Sequence, residues 1–411
     1  MSYPGTIFLF DVDGVLVEPL GYRAAMMATT RHFSDLMQLD PALIPNLEAI
    51  EQFEAMHITS EWDMVQISLA TILNALVQSN PGINLPSTVG ELGKLNFSHY
   101  SKPFDYREPI VRLAPYLSTG EYPASLALRY AGDQTGDDGT CLAGIFPQLS
   151  GTPLLCEILS YSRDPYRSPI TRIFQHYSLG SQVFTCVYAL PSELDTDSML
   201  IAHDKPMLSA EMQAELNKHR AGGQLGMVAL TNRPSAPPRE VKEKLLGYAP
   251  EAEMALEITN LADIPLISFG RIRYLAERHG IEAETLLKPS PVQAIAAILA
   301  GLIGQELPAL ETALSMVNNP AAMKRLIAEP GQVLDLAKLP IPLNIHIFED
   351  TLWGIEATRN AGNILREVGI DNRIFAWGIA KNPTKADSLL NLGAIVFQDT
   401  ESAIRAAFES C

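Results

Sequence analysis

The amino-acid sequence predicts an α/β protein: an open, parallel sheet interrupted by one large, mainly helical insertion. Two observations carry this reading. Three apolar runs, at residues 6–10 (TIFLF), 225–230 (LGMVAL) and 341–348 (IPLNIHIF), each stop at polar residues, namely Asp11, Thr231 and Glu349. Apolar runs without alternation suit strands buried on both faces, and open α/β sheets collect ligands at the carboxyl ends of such strands. The second observation is that more than two hundred residues separate the first run from the second. That length allows an accessory domain beside the catalytic one.

Taken in order, residues 1–20 form the first part of the core, residues 21–223 the insert and residues 224–411 the rest of the core. Within the insert, residues 22–79 read as helical. Thr59 or Ser60 is a cap candidate ahead of Val65, Ile67, Leu69, Ile72, Leu73, Leu76 and Val77. The Gly-rich loop at residues 133–140 lies between two expected helices, at 123–130 and 142–146. The β-branched and aromatic run 183–190 (VFTCVYAL) reads as a strand, although a buried helical turn would show the same residues. In the second part of the core, the Ala- and Leu-rich zone 299–339 predicts extra helices. Residues 354–368 form an amphipathic crossover with Gly369 as its C-cap. Runs at 374–379 and 394–397 are further strands, and 401–408 is a closing helix.

Composition excludes several classes of protein. A hydrophobic share of 47% supports a globular core without staples. Acidic residues number 47 against 30 basic, a formal charge of −17, which is the wrong sign for a general nucleic-acid binder. Cys141, Cys156, Cys186 and Cys411 are too dispersed for a metal knuckle or a disulfide framework, so reduced thiols in a cytoplasmic protein are expected. No leader segment and no run long enough to span a bilayer is visible, and no membrane association is expected.

The chemistry concentrates at the strand ends. Asp11 and Asp13 flank one valine where the chain leaves the first strand, and Gly14 permits a tight turn. Two such carboxylates repel unless a cation or a shared proton intervenes, which makes the pair a candidate magnesium site. Phosphoryl transfer asks for this equipment: an oxyanion nucleophile, a cation, and an acid/base for the leaving oxygen.

The run Phe10-Asp-Val-Asp-Gly-Val-Leu resembles the first motif of the haloacid dehalogenase-like superfamily, and three further motifs follow in that family's order. Leu230-Thr-Asn-Arg resembles the second, Leu287-Lys-Pro-Ser-Pro the third, and Phe348-Glu-Asp-Thr-Leu-Trp-Gly-Ile-Glu-Ala the fourth. Gly354 stands where many relatives carry another aspartate, a departure similar to the form found in sugar-phosphate phosphatases and β-phosphoglucomutase-like members. The resemblance covers residues 5–20 and 224–400 and implies a Rossmann-like core with a cap.

It also implies a set of roles. Asp11 would be the nucleophile and Asp13 the acid/base, while Thr231, Asn232 and Lys288 would hold the phosphoryl group. Magnesium would be held by Asp11, the Asp13 carbonyl, Glu349 and Asp350. The implied activity is hydrolysis of a small phosphorylated metabolite through an aspartyl phosphate. A sugar-phosphate mutase and a non-enzymatic phosphoryl-ligand binder stand as alternatives. Dehalogenase chemistry is disfavoured, because those relatives lack the acid that Asp13 provides. The insert offers Arg107, Arg112, Arg129, Arg163, Arg167 and Arg172 as anion clamps and Tyr161 and Tyr166 as stacking surfaces, each weighed against an ordinary fold-stabilising role. His99, His176 and His203 are too scattered for a second metal site.

Overall fold

The computed structural model describes residues 3–119, 121–136, 138–142, 144–321 and 342–410. It divides into two compact units: Met1–Pro19 with Asp204–Cys411, and Leu20–His203. Among the described residues the first unit holds one six-stranded sheet, of β1 (Thr6–Phe10), β2 (Leu225–Leu230), β3 (Leu266–Ile267), β4 (Leu343–Glu349), β5 (Asn372–Ile379) and β6 (Ile395–Phe397). They pair in the order β6-β5-β4-β1-β2-β3, and every pairing is parallel.

Alternation along β1 builds two cores. Ile7 and Leu9 join Val228, Leu230, Ile345 and Ile347 on one face, where helices Phe269–His279, Pro291–Ile303 and Leu352–Glu367 pack. Phe8 and Phe10 turn to the other face with Met227, Ala229, Phe348 and Trp377, under helices Ala210–Ala221, Glu251–Ile258 and Thr400–Ser410. Because β1 is covered on both sides, none of residues 7–10 is exposed, as the unbroken apolar run required. Register then brings the strand ends level: Phe10 pairs with Ala229 and Phe348, so Asp11, Thr231 and Glu349 follow at one edge.

The crossover expected at 354–368 is the helix Leu352–Glu367, and Gly369 follows with φ +97°. Of the helical zone expected at 299–339, Pro291–Ile303 and Glu306–Asn318 are helices, while residues 322–341 lie outside the described residues.

The second unit is mainly helical, built around Glu61–Ser79, whose residues 63–73 are all buried. Ser60 takes the N-cap position of that helix without a side-chain cap bond. Two expectations for the insert are corrected. The run 183–190 is no strand: Ser181–Tyr188 is a helix that buries Ser181, Phe184 and Tyr188 at helical spacing, with Phe184 stacked on His176. Nor is 142–146 a helix. Cys141–Leu142 pairs antiparallel with Gln134–Thr135, a turn closed by Asp138 accepting from the Thr140 amide. Cys141, Cys156 and Cys186 are exposed and in no disulfide among the described residues, and Cys411 lies outside them. Among the described residues, no helix is long and apolar enough to cross a membrane.

One buried histidine makes the sheet sensitive to acid. His346 on β4 is fully buried, and its Nδ1 accepts a hydrogen bond from Trp377 Nε1 at 3.1 Å, so that nitrogen carries no proton. Burial lowers its pKa from 6.5 to about 4. The unfolded chain therefore takes a proton in that window before the folded one does, and stability falls as pH drops through 6.5 towards 4. Between pH 7 and 5 the native chain should lose about 2 kcal/mol more than His346→Phe does. Urea denaturation at the two pH values checks this. Equal losses in both proteins would remove His346 as the cause.

Candidate metal and active site

Asp11 is the first residue past β1, and its amide donates to the Phe348 carbonyl at 3.0 Å, which fixes it at the sheet edge. Beside it, at the end of β4, lie Glu349 and Asp350. Carboxylate oxygens of Asp11, Glu349 and Asp350 all fall within 4.8 Å of one another. Two glycines make this convergence possible. Gly14 has φ +73°, and a Cβ there would overlap the Asp350 carboxylate. A Cβ on Gly354 would overlap the Glu349 carboxylate, so the departure from aspartate at that position makes room for the longer glutamate.

Lys288 ties the cluster together. Its Nζ donates to Asp11 Oδ1 at 2.9 Å and to Glu349 Oε2 at 2.8 Å, and the lysine side chain is 5% exposed. The other Glu349 oxygen accepts from the Thr351 amide and hydroxyl at 3.1 and 2.8 Å. Both Glu349 oxygens are thus hydrogen-bonded within the chain, as those of a buried carboxylate generally are.

Burial, with the Glu349 charge next, pushes the Asp11 carboxyl up to about 8 against the pull of Lys288. Burial likewise raises Asp350 to about 6, with Lys385 pulling the other way. For Lys288, burial works against the charged form, but Asp11 and Glu349 outweigh it and hold the ammonium above its ordinary range. Three crowded carboxylates, two of them pushed towards neutrality, form a hard-oxygen donor set that suits a divalent cation such as magnesium.

Thr231 follows β2 and is buried, and its hydroxyl oxygen accepts from the Arg233 amide at 3.1 Å. Asn232 is exposed. The Asp13 side chain is not part of the acidic cluster. Its carboxylate takes Arg233 Nε at 2.9 Å on each oxygen and a second Arg233 nitrogen at 2.6 Å. That same guanidinium reaches Asp204 at 3.0 Å, and the Asp204 side chain has no exposure. Asp204 opens the second segment of this unit. Just beyond it Lys205–Pro206 pairs antiparallel with Val17–Glu18, tying the two chain crossings to each other.

Sequence reasoning missed three of these residues. Arg233 stood inside the second motif with no role, and its place two residues past Thr231 was the available signal. Asp204 offered none. Gln293, fully buried, bridges the motif loops by donating to the Thr231 carbonyl at 2.8 Å and accepting from the Lys288 amide at 2.8 Å. Within the insert, five of the six candidate arginines engage residues of their own unit. Arg163 pairs with Asp63 at 2.7 Å, Arg129 with Glu121 at 2.7 Å and Arg172 with Glu193 at 3.0 Å. Arg112 binds Glu108 and the Gly144 carbonyl, Arg167 stacks over Tyr161, and Tyr166 packs edge-on against Tyr188.

Fold and site together define a class: an open, parallel Rossmann-like sheet with a large helical insertion and a candidate acidic metal site at its carboxyl edge. No family model and no curated protein matches the chain. An X-ray structure of a Northeast Structural Genomics Consortium target is similar to it at TM-score 0.55 and 13% identity, covering 100% of this chain and 98% of the other, a likeness of fold. A phosphatase, Tt82 from Thermococcus thioreducens, aligns over 93% of this chain and 99% of its own at 15% identity, with a TM-score of 0.37 too low to bear on the site.

Replacing Lys288 by Met would leave Asp11 and Glu349 facing each other without the shared ammonium. Breaking a buried pair in this way costs about 3–5 kcal/mol. Lys288→Met should lose stability on that scale in urea unfolding and recover part of it in millimolar Mg2+. A variant as stable as the native chain would show that the ammonium does not hold the cluster.

Proposed function

We propose that this chain is a magnesium-dependent phosphatase acting on a small phosphorylated metabolite, with Asp11 as its covalent nucleophile. The observation that carries the proposal is the Lys288 ammonium held between Asp11 and Glu349, next to Asp350 and at the same sheet edge as Thr231. A phosphoryl-transfer site needs a nucleophile, a cation site and a fixed positive charge together.

In this reading Asp11, the Asp13 carbonyl, Glu349 and Asp350 would hold magnesium, which when bound neutralises charge on the carboxylates and on the transferred phosphoryl group. Asp11 Oδ attacks phosphorus, the ester P–O bond breaks, and Asp13 gives its proton to the departing alkoxide. Water then attacks the phosphorus of the aspartyl phosphate, Asp13 takes its proton, and inorganic phosphate leaves with Asp11 regenerated. Lys288, the Thr231 hydroxyl and Asn232 receive the phosphoryl oxygens. Asp13 rests with both oxygens on Arg233, so it must turn from that guanidinium to exchange a proton with substrate. The helical unit Leu20–His203 would act as the cap that excludes water, since closure both protects the intermediate and selects substrate.

Phosphate release from an aryl phosphate, with magnesium and with chelator, tests the activity, and the two aspartates separate the steps. Asp11→Asn should abolish turnover. Asp13→Asn should lose roughly 10²- to 10⁴-fold, the range for general acid/base groups. With an activated aryl phosphate, rapid quench should show Asp13→Asn gaining roughly 80 Da, one phosphoryl group, on Asp11. Robust turnover by Asp11→Asn would sink the nucleophile assignment in favour of attack by a metal-activated water.

A further inference from the structure

Lys385 stands in a place that helix preference does not explain. It lies in the first turn of helix Pro383–Asn391, where Asn382 Oδ1 caps the amides of Thr384 and Lys385 at 2.9 and 3.4 Å. The positive end of a helix dipole disfavours a cation in that turn. Its ammonium runs instead to Asp350 Oδ2, the carboxylate edge against which Gly14 leaves no room for a side chain.

Around the three carboxylates there are therefore two ammonium groups of different character. Lys288 is 5% exposed and locked between Asp11 and Glu349, whereas the Lys385 side chain is 42% exposed and has one carboxylate, itself 15% exposed. With all three carboxylates ionised, the cluster would carry one net negative charge beside both lysines and two without Lys385. A lysine of that exposure can swing its ammonium into water at small cost, which Lys288 cannot.

We propose that Lys385 is a built-in competitor for the divalent cation: it occupies Asp350 in the metal-free protein and is displaced when the metal binds. This rests on the metal-binding reading above. The device keeps the cluster charge-compensated without metal, so the fold does not require the ion. It also weakens affinity, since the incoming cation must expel an ammonium from one of its own ligands.

Calorimetric titration of the full chain with MgCl2 tests the proposal. Lys385→Gln and Lys385→Met should each bind Mg2+ roughly three- to fivefold more tightly than the native chain, the upper range for a partly exposed ion pair. Lys385→Arg, which keeps the cation, should stay within about twofold of native. Melting curves give a second readout. Saturating Mg2+ should raise the melting temperature more in the two neutral variants than in the native chain, because stabilisation by a ligand follows its affinity. Native binding with unchanged or weaker affinity in the neutral variants overturns the competitor and leaves the metal site standing. Absence of binding in native and variants alike overturns both. Binding by the neutral variants with none detectable in the native chain supports the competitor in its strongest form.

Discussion

The arrangement of the site depends on one ammonium group. Asp11 and Glu349 come from different strands, are both nearly or fully removed from water, and would repel each other in any low-dielectric setting. Lys288 makes their juxtaposition tolerable, and the surrounding structure exists to hold that lysine. Gln293 accepts from its backbone amide while donating to the Thr231 carbonyl, so the loops after β2 and before helix Pro291–Ile303 are fixed to each other. On the far side, Thr351 closes off the second oxygen of Glu349. Each contact is ordinary, and together they hold Asp11, Glu349 and Asp350 as one cluster.

Much of the core was legible because burial on both faces leaves a plain mark. TIFLF, LGMVAL and IHIF, each ending at polar residues, read as inner strands, and their parallel register placed Asp11, Thr231 and Glu349 at one edge. The spacing of Ile355, Ala357, Ile364 and Leu365 gave the crossover helix. The misreadings fell where short apolar runs carry no period long enough to decide. VFTCVYAL has the composition of a strand, yet its burial recurs at three- and four-residue intervals, which composition does not reveal.

What sequence could not show was which charges meet. Asp13 read as an aspartate beside a metal, and in the structure its carboxylate meets Arg233, which also reaches Asp204, both far from it along the chain. Long-range ion pairs leave no local signature, because they depend on where distant loops end and not on neighbouring residues. The arginines of the insert illustrate the converse. Arg112, Arg129 and Arg163 looked available for an anion, and each is occupied by a carboxylate of its own unit.

The paired crossings, Val17–Glu18 with Lys205–Pro206, have a consequence for the order of events during synthesis. β1 leaves the ribosome first, but its neighbours β2 and β4 begin only at Leu225 and Leu343. At roughly 5–20 residues per second, the central strand waits on the order of ten seconds or more for its first partner. In that interval the compact helical unit Leu20–His203 can complete its own fold. The TIFLF segment meanwhile is an apolar strand with both edges bare, the kind of surface that chaperones engage. A nascent chain of this protein should accordingly pass through a stage with a finished insert and an unpaired N-terminus.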